Sequence, residues 1–331
     1  MRQPLIPFSP SARARYKPRC VLRFIWLAAP TVLAACDLEE ITIVEVEDVV
    51  VAEIYVNLAE DPTENEVRAY LHYTLGAPGS GGDELTNALI VVSRSDGLTL
   101  TLVENQLEAC LDSLPTVGDG VCFLADPAQT PNLSPGDQLE VQVTLADGGT
   151  LFGATRVPSS FQIAGISTAC RLDPDTLLPL LWSRSEGAWA YVSETSISGL
   201  TAALEPEGIV VEEDDDPLHL LGLSISDQDT TTVFPSEFGV FDRFDLDHDL
   251  ATRLQKGLPD ATTAEVSITA VEGNYVNWAR GGGFNPSGQV RVPSIRGGGT
   301  GVFAATVSRG FDVVSSDQAG PLPDCPIPNP S

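Results

Sequence analysis

The sequence predicts an all-β fold of two β-sandwich-like domains in tandem, the second with one or two short helices. Three observations predict it. Apolar residues recur at every second position in run after run. Asp-Gly turns separate several of these runs. About 300 residues follow position 35, enough chain for two domains.

The first 35 residues stand outside that pattern. They contain no Asp or Glu but hold Arg2, Arg13, Arg15, Lys17, Arg19 and Arg23, followed by the apolar run Phe24 to Leu33. Basic-then-apolar order is that of a secretory signal. At ~1.5 Å per residue the run is too short to cross a ~30 Å hydrocarbon core, and Pro30 interrupts it.

Leu33-Ala34-Ala35-Cys36 resembles the lipobox of bacterial lipoproteins. The resemblance implies a signal over 1–35 that is cut away, lipidation of the Cys36 thiol, and an acidic tether over 36–40. It also implies attachment to a membrane through acyl chains, each buried CH₂ contributing ~0.8 kcal/mol. The alternative is a secreted protein in which Cys36 follows an A-x-A-like cleavage site by chance. Asp37 right after the cysteine looks like the inner-membrane retention signal of enteric bacteria. In other Gram-negative lineages an acidic stretch there resembles a surface-export signal. The expected location is the cell envelope, with the outer membrane favoured.

Beyond residue 35 the chain holds all 46 acidic residues against 12 basic ones, a net charge of −34, and Lys256 is its one lysine. Such a surface repels phosphate backbones, so no nucleic-acid partner is expected.

Residues 41–158 read as an immunoglobulin-like β-sandwich of six to eight strands. Val50, Ala52, Ile54, Val56 and Leu58 alternate with Val51, Glu53, Tyr55 and Asn57, and Ala69, Leu71 and Tyr73 with Arg68, Tyr70 and His72. Ser95-Asp96-Gly97 separates Ala88–Ser93 from Leu98–Val103, and Asp147-Gly148-Gly149 separates Leu139–Leu145 from Thr150–Arg156. Residues 159–320 form the second β-rich unit, with strands over Gly187–Ser193, Leu218–Ser226, Ala264–Val271 and Val302–Val307. Helices are expected over Leu250–Lys256 and Gly273–Arg280, the second stopped by three glycines. Trp182, Trp189, Tyr191, Tyr275 and Trp278 are expected mostly in the second core, an exposed subset being suited to sugar or peptide. A Pro-rich tail, 321–331, ends the chain.

With Cys20 removed and Cys36 acylated, Cys110, Cys122, Cys170 and Cys325 remain, an even number in an oxidising compartment. Three pairings are open. Cys110 with Cys122 is favoured because the eleven residues between them read as one turn-rich loop. Cys170 then pairs with Cys325 and pins the tail. A zinc site is the alternative, but there is no C-x-x-C.

Motifs for chemistry are sparse. The sequence has no H-E-x-x-H, G-x-S-x-G or Walker loop, and no G-x-G-x-x-G after a strand. His72 falls on the polar face of its strand, where a solvated side chain is expected. Asp245, Asp247 and Asp249 are weak calcium candidates, because an EF-hand starting at Asp245 would need Gly at Leu250 and Glu at Lys256. The acidic run Glu212 to Asp216 reads as an exposed loop, a second weak calcium candidate. No cofactor is otherwise expected. Gly297-Gly298-Gly299-Thr300-Gly301 lacks the lysine of a phosphate cradle and reads as a tight turn before a strand.

Several tracts together resemble an uncharacterised family of Gram-negative envelope lipoproteins, a domain of unknown function often encoded beside TonB-dependent outer-membrane receptors. They are Pro135 to Val141, Val157-Pro158, Tyr275-Val276-Asn277-Trp278, Phe284-Asn285-Pro286, and Val290 to Phe303. The last departs from the family's tract where Ser294 and Arg296 flank Ile295. The resemblance implies a non-enzymatic accessory of an outer-membrane uptake system, with such a receptor as partner and no catalytic residue to carry over. The expected function is therefore a lipid-anchored envelope binding protein of unspecified ligand. The alternative is an anchored hydrolase whose residues meet only in the fold.

Overall fold

The computed structural model describes residues 48–74, 85–111, 120–166, 168–212, 216–224, 226–239, 248–280 and 291–326. Strand β1 (Val50–Leu58) sets the architecture. Ala52, Ile54, Val56 and Leu58 are all but fully buried, while Glu53, Tyr55 and Asn57 face the other way. Antiparallel pairing leads from β1 to β2 (Glu66–Tyr73), β5 (Val121–Ala125), β4 (Thr99–Asn105), β3 (Leu89–Arg94), β6 (Gln138–Thr144) and β7 (Thr150–Arg156). Through β14 (Ile295–Gly297) the order reaches β15 (Gly299–Ser315). Residues 299–307 of β15 then pair in parallel with Val50–Leu58. That last ladder closes a barrel of nine strands.

The all-β expectation holds; the arrangement as two sandwiches in tandem does not. Left alone, residues 48–158 would expose unpaired backbone along β1 and β7, and open edges of that kind are costly. Strands from the end of the chain fill both, so residues 47–331 form one unit. Beyond residue 307 the strand β15 runs on as the centre of a second sheet. Its order is β8 (Ala169–Leu172), β15, β13 (Thr263–Val271), β10 (Ala190–Ser198) and β11 (Leu218–Leu223). A separate ladder joins β9 (Leu178–Leu181) to β12 (Thr231–Phe234). Three helices lie among the described residues: α1 (Leu200–Leu204), α2 (His248–Leu254) and α3 (Gly273–Arg280).

Two glycines explain how the seams close. Gly301 has φ +143°, and a Cβ there would lie 2.0 Å from the carbonyl oxygen of Ala52 on β1. Gly297 has φ +121°, and its Cβ would lie 2.3 Å from the carbonyl oxygen of Thr150 on β7. Only glycine permits both the conformation and the approach. The glycine tract therefore does more than turn the chain.

Cys110 is bonded to Cys122 and Cys170 to Cys325, the pairing favoured from spacing. The second bridge holds the start of the tail against β8. The Cys325 amide donates to the Arg171 carbonyl, the Arg171 amide donates to the Pro323 carbonyl, and the Arg171 guanidinium pairs with Asp173 and Asp324.

Candidate functional site

Helix α3 lies across the outside of the barrel and divides its outer face. Glu272 starts the helix by accepting hydrogen bonds from the Asn274 amide (2.7 Å) and the Tyr275 amide (3.0 Å). Burial pushes the Glu272 carboxyl above its ordinary value, and these backbone donors only partly offset the rise. The Asn274 side-chain amide donates to the carbonyls of Ala154 on β7 and Phe303 on β15, both at 2.9 Å. One side chain thus bridges the barrel where β14 is too short to do so. Val302 and Ala304 are small enough to admit the helix, and Val51 and Trp278 complete that contact.

On one side of α3 a carboxylate sits among aromatic rings. Glu53 Oε1 accepts from Trp278 Nε1 (3.3 Å) and from the Arg291 guanidinium (3.4 Å), and Oε2 accepts from the Tyr55 hydroxyl (3.4 Å). His72 Nε2 lies 3.9 Å from Oε1, an ion-pair distance, and stacks on Tyr70. The Arg291 guanidinium lies 4.8 Å from the centre of the Trp278 ring, and Tyr55 meets Tyr275 edge-on at 6.0 Å. Burial pushes the Glu53 carboxyl up, but His72, the Arg291 charge and the Trp278 N–H outweigh it, so the carboxyl lies below its ordinary value. Burial and the Glu53 charge push the Tyr55 phenol well up, which keeps it a neutral donor. Glu53, Tyr55, Tyr275, Trp278, Ala279 and Arg291 leave a cavity of about 180 Å³ between them.

On the other side of α3 the outer face of the second sheet is open and forms a groove of about 1130 Å³. Its floor follows from register. Ser196 on β10 pairs with Glu265 on β13 and Glu265 with Asp312 on β15; one step along lie Glu194, Ser267 and Gly310. Glu60, Asp61 and Glu64, from the turn after β1, form a wall. Among the described lining residues none is Lys or Arg. Glu60, Glu64, Glu265 and Asp312 enter no ion pair among the described residues. Tyr275 links the two areas, since its phenol, pushed up by burial, also feels Glu194 on the groove side and Arg68 on the other.

Cys36, Glu213, Asp214, Asp215, Asp245 and Asp247 lie outside the described residues. Asp249 is exposed in the first turn of α2, and no group of three or more His, Cys, Asp or Glu among the described residues is arranged to hold a metal. Of the acidic run, Asp216 is engaged: its carboxylate accepts from the Gly199 and Thr201 amides at the start of α1. His72 is partly buried against Glu53 rather than solvated, and His219 is exposed beside the groove. Trp182 and Tyr191 pack in the main core as expected. Trp278 does not, because α3 lies outside the barrel, and Trp189 is exposed. Sequence reasoning missed Glu53, Tyr55 and Arg291 as a group. The one local signal was a strand whose polar face carries Glu and Tyr opposite Tyr70 and His72.

No family model matches the chain, and no curated protein does. Among solved structures it is similar to the fibronectin(III)-like modules of Clostridium thermocellum CbhA. That likeness has 6% identity, covers 80% of this chain and 91% of that one, and has a TM-score of 0.19. It is also similar to the complex of Dpr11 IG1 with DIP-gamma IG+IG2, at 9% identity, 80% and 98% coverage and a TM-score of 0.17. At these scores neither likeness carries an argument about this chain.

Proposed function

We propose that the protein is a lipid-anchored binding protein of the cell envelope, held to the outer membrane through Cys36, and that its groove takes an extended basic segment of a partner. The observation that supports the reading best is the groove itself. A floor of Ser196, Ser267, Ser308 and Gly310 keeps it open, and Glu60, Asp61, Glu64, Glu194, Glu265 and Asp312 give it one sign of charge. Long-range attraction in so acidic a chain favours cationic partners and speeds their encounter. Two disulfides suit an oxidising compartment. The family resemblance makes a TonB-dependent outer-membrane receptor the candidate partner.

Two experiments test this. A labelled Lys/Arg-rich peptide titrated by fluorescence anisotropy should bind in a salt-dependent way, and Glu265→Lys with Asp312→Lys should weaken it about tenfold or more. Equal affinity for the double variant overturns the groove reading. Metabolic labelling with a fatty-acid analogue should tag the wild type and not Cys36→Ser; label that survives the substitution overturns the anchor.

A further inference from the structure

The carboxylate pocket beside α3 uses no residue of the groove and has its own chemistry. Its base and walls are the less exposed part, the Glu53 side chain being 23% exposed. Glu53 is bonded by Trp278 and Tyr55, its carboxyl stays ionised, and Trp278 is 8% exposed. Among the described residues Arg291 is the one cation that lines the cavity, while Arg68 lies 6.0 Å from the centre of the Tyr55 ring and His72 lies beside Glu53. The Arg291 side chain is 45% exposed, meets Glu53 at 3.4 Å and lies over the Trp278 ring. Half-exposed ion pairs and cation–π contacts of this kind contribute little each, because water competes for both partners. A cavity of about 180 Å³ remains beside the guanidinium, bounded by Tyr55, Tyr275 and Ala279.

Aromatic faces converging on a carboxylate are suited to a soft, weakly hydrated organic cation. The ring quadrupoles attract the charge over a broad surface, and the carboxylate neutralises it without demanding a directed N–H. Arg291 satisfies that chemistry from within the chain. We propose that the pocket is an organic-cation site with Arg291 as its resident occupant. An alkylated ammonium or a guanidinium group from outside displaces Arg291 and takes its place over Trp278 beside Glu53.

Calorimetric titration of the disulfide-bonded protein tests this, with tetramethylammonium chloride and N-acetylarginine amide as probes and sodium chloride of equal ionic strength as control. Wild type should bind one of them weakly, and Arg291→Ala should bind it about tenfold more tightly, the competitor being gone. Arg291→Lys, which keeps the charge but stacks less well, should fall between. Adding Glu53→Gln to Arg291→Ala should abolish binding. Quenching of tryptophan fluorescence should accompany binding and vanish in Trp278→Phe, while matching thermal melts show that each variant folds. Three results would overturn the proposal: no binding of either probe by Arg291→Ala, equal affinity of wild type and Arg291→Ala, or undiminished binding without the Glu53 carboxylate.

Discussion

The two halves of β15 belong to one strand, yet residues 301–307 are buried throughout while residues 310–313 alternate between exposed and buried. The difference lies in what covers them. In the first half the barrel core takes Phe303, Ala305 and Val307, and α3 covers Val302 and Ala304. In the second half Phe311 and Val313 still enter the core, but Ser308, Gly310 and Asp312 floor the open groove. Closure and recognition thus follow one another along one strand, and the covering helix marks the change. Where a second layer is present the outer positions become small and apolar; where it is absent they become small and polar.

Removing the covalent ties is expected to have the largest effect and to separate the halves. Cys170–Cys325 spans 155 residues and ties the tail to β8, the strand paired with the second half, whereas Cys110–Cys122 spans 12 within the barrel. In a chain-entropy treatment the long bridge contributes about 5 kcal/mol and the short one about 3 kcal/mol. Serine pairs at each bridge, compared by urea unfolding, should keep that order. Equal losses would show that the two halves do not differ in how the tail ties them.

A smaller effect sharpens the same contrast through glycine. Gly301→Ala forces a methyl onto the Ala52 carbonyl at a positive φ, at a cost of about 3 kcal/mol. At Gly310 a Cβ would meet only the Val266 carbonyl oxygen, at 3.5 Å, so Gly310→Ala should stay within about 0.5 kcal/mol of wild type. Denaturant midpoints decide it. A costly Gly310→Ala would mean that the second half is packed as tightly as the first.

This contrast also marks what could be read from the sequence. β1, β6, β7 and α3 are legible because period two, Asp-Gly turns and a glycine stop are local signals. β15 is legible only over Val302–Val307, as an apolar run, and its course to Ser315 is not, because Ser308, Arg309 and Gly310 end that run and a polar stretch with glycine reads as a turn. The parallel ladder of β1 with β15 joins positions some 250 residues apart, and no nearby residue announces it. Tandem sandwiches were the natural reading of a chain whose closing strands come last. The candidate site suffers most from distance. The polar face of β1 and β2 shows Glu53, Tyr55, Tyr70 and His72, but Trp278 and Arg291 reach them only once α3 crosses the barrel. Read locally, Trp278 belonged to a core.

The smallest effect concerns the two carboxylates flanking α3, which titrate in opposite directions. Glu53 lies below its ordinary 4.5, so the folded state holds the ionised form more firmly than the unfolded chain does. Its contribution is complete above pH 4.5 and is lost as pH falls through the depressed value. Glu272 lies above 4.5, so the unfolded chain ionises first. Its protonated form favours folding below pH 4.5, and that advantage is lost as pH rises toward the raised value. With 46 acidic residues the whole-protein curve conceals both, so variants must be read as differences from wild type. The stability difference between wild type and Glu53→Gln should grow with rising pH in the window below 4.5. The deficit of Glu272→Gln should shrink with rising pH in the window above it. Parallel slopes for the two variants would mean that the outer pocket and the helix start share one environment, and that α3 does not divide the outer face as its contacts indicate.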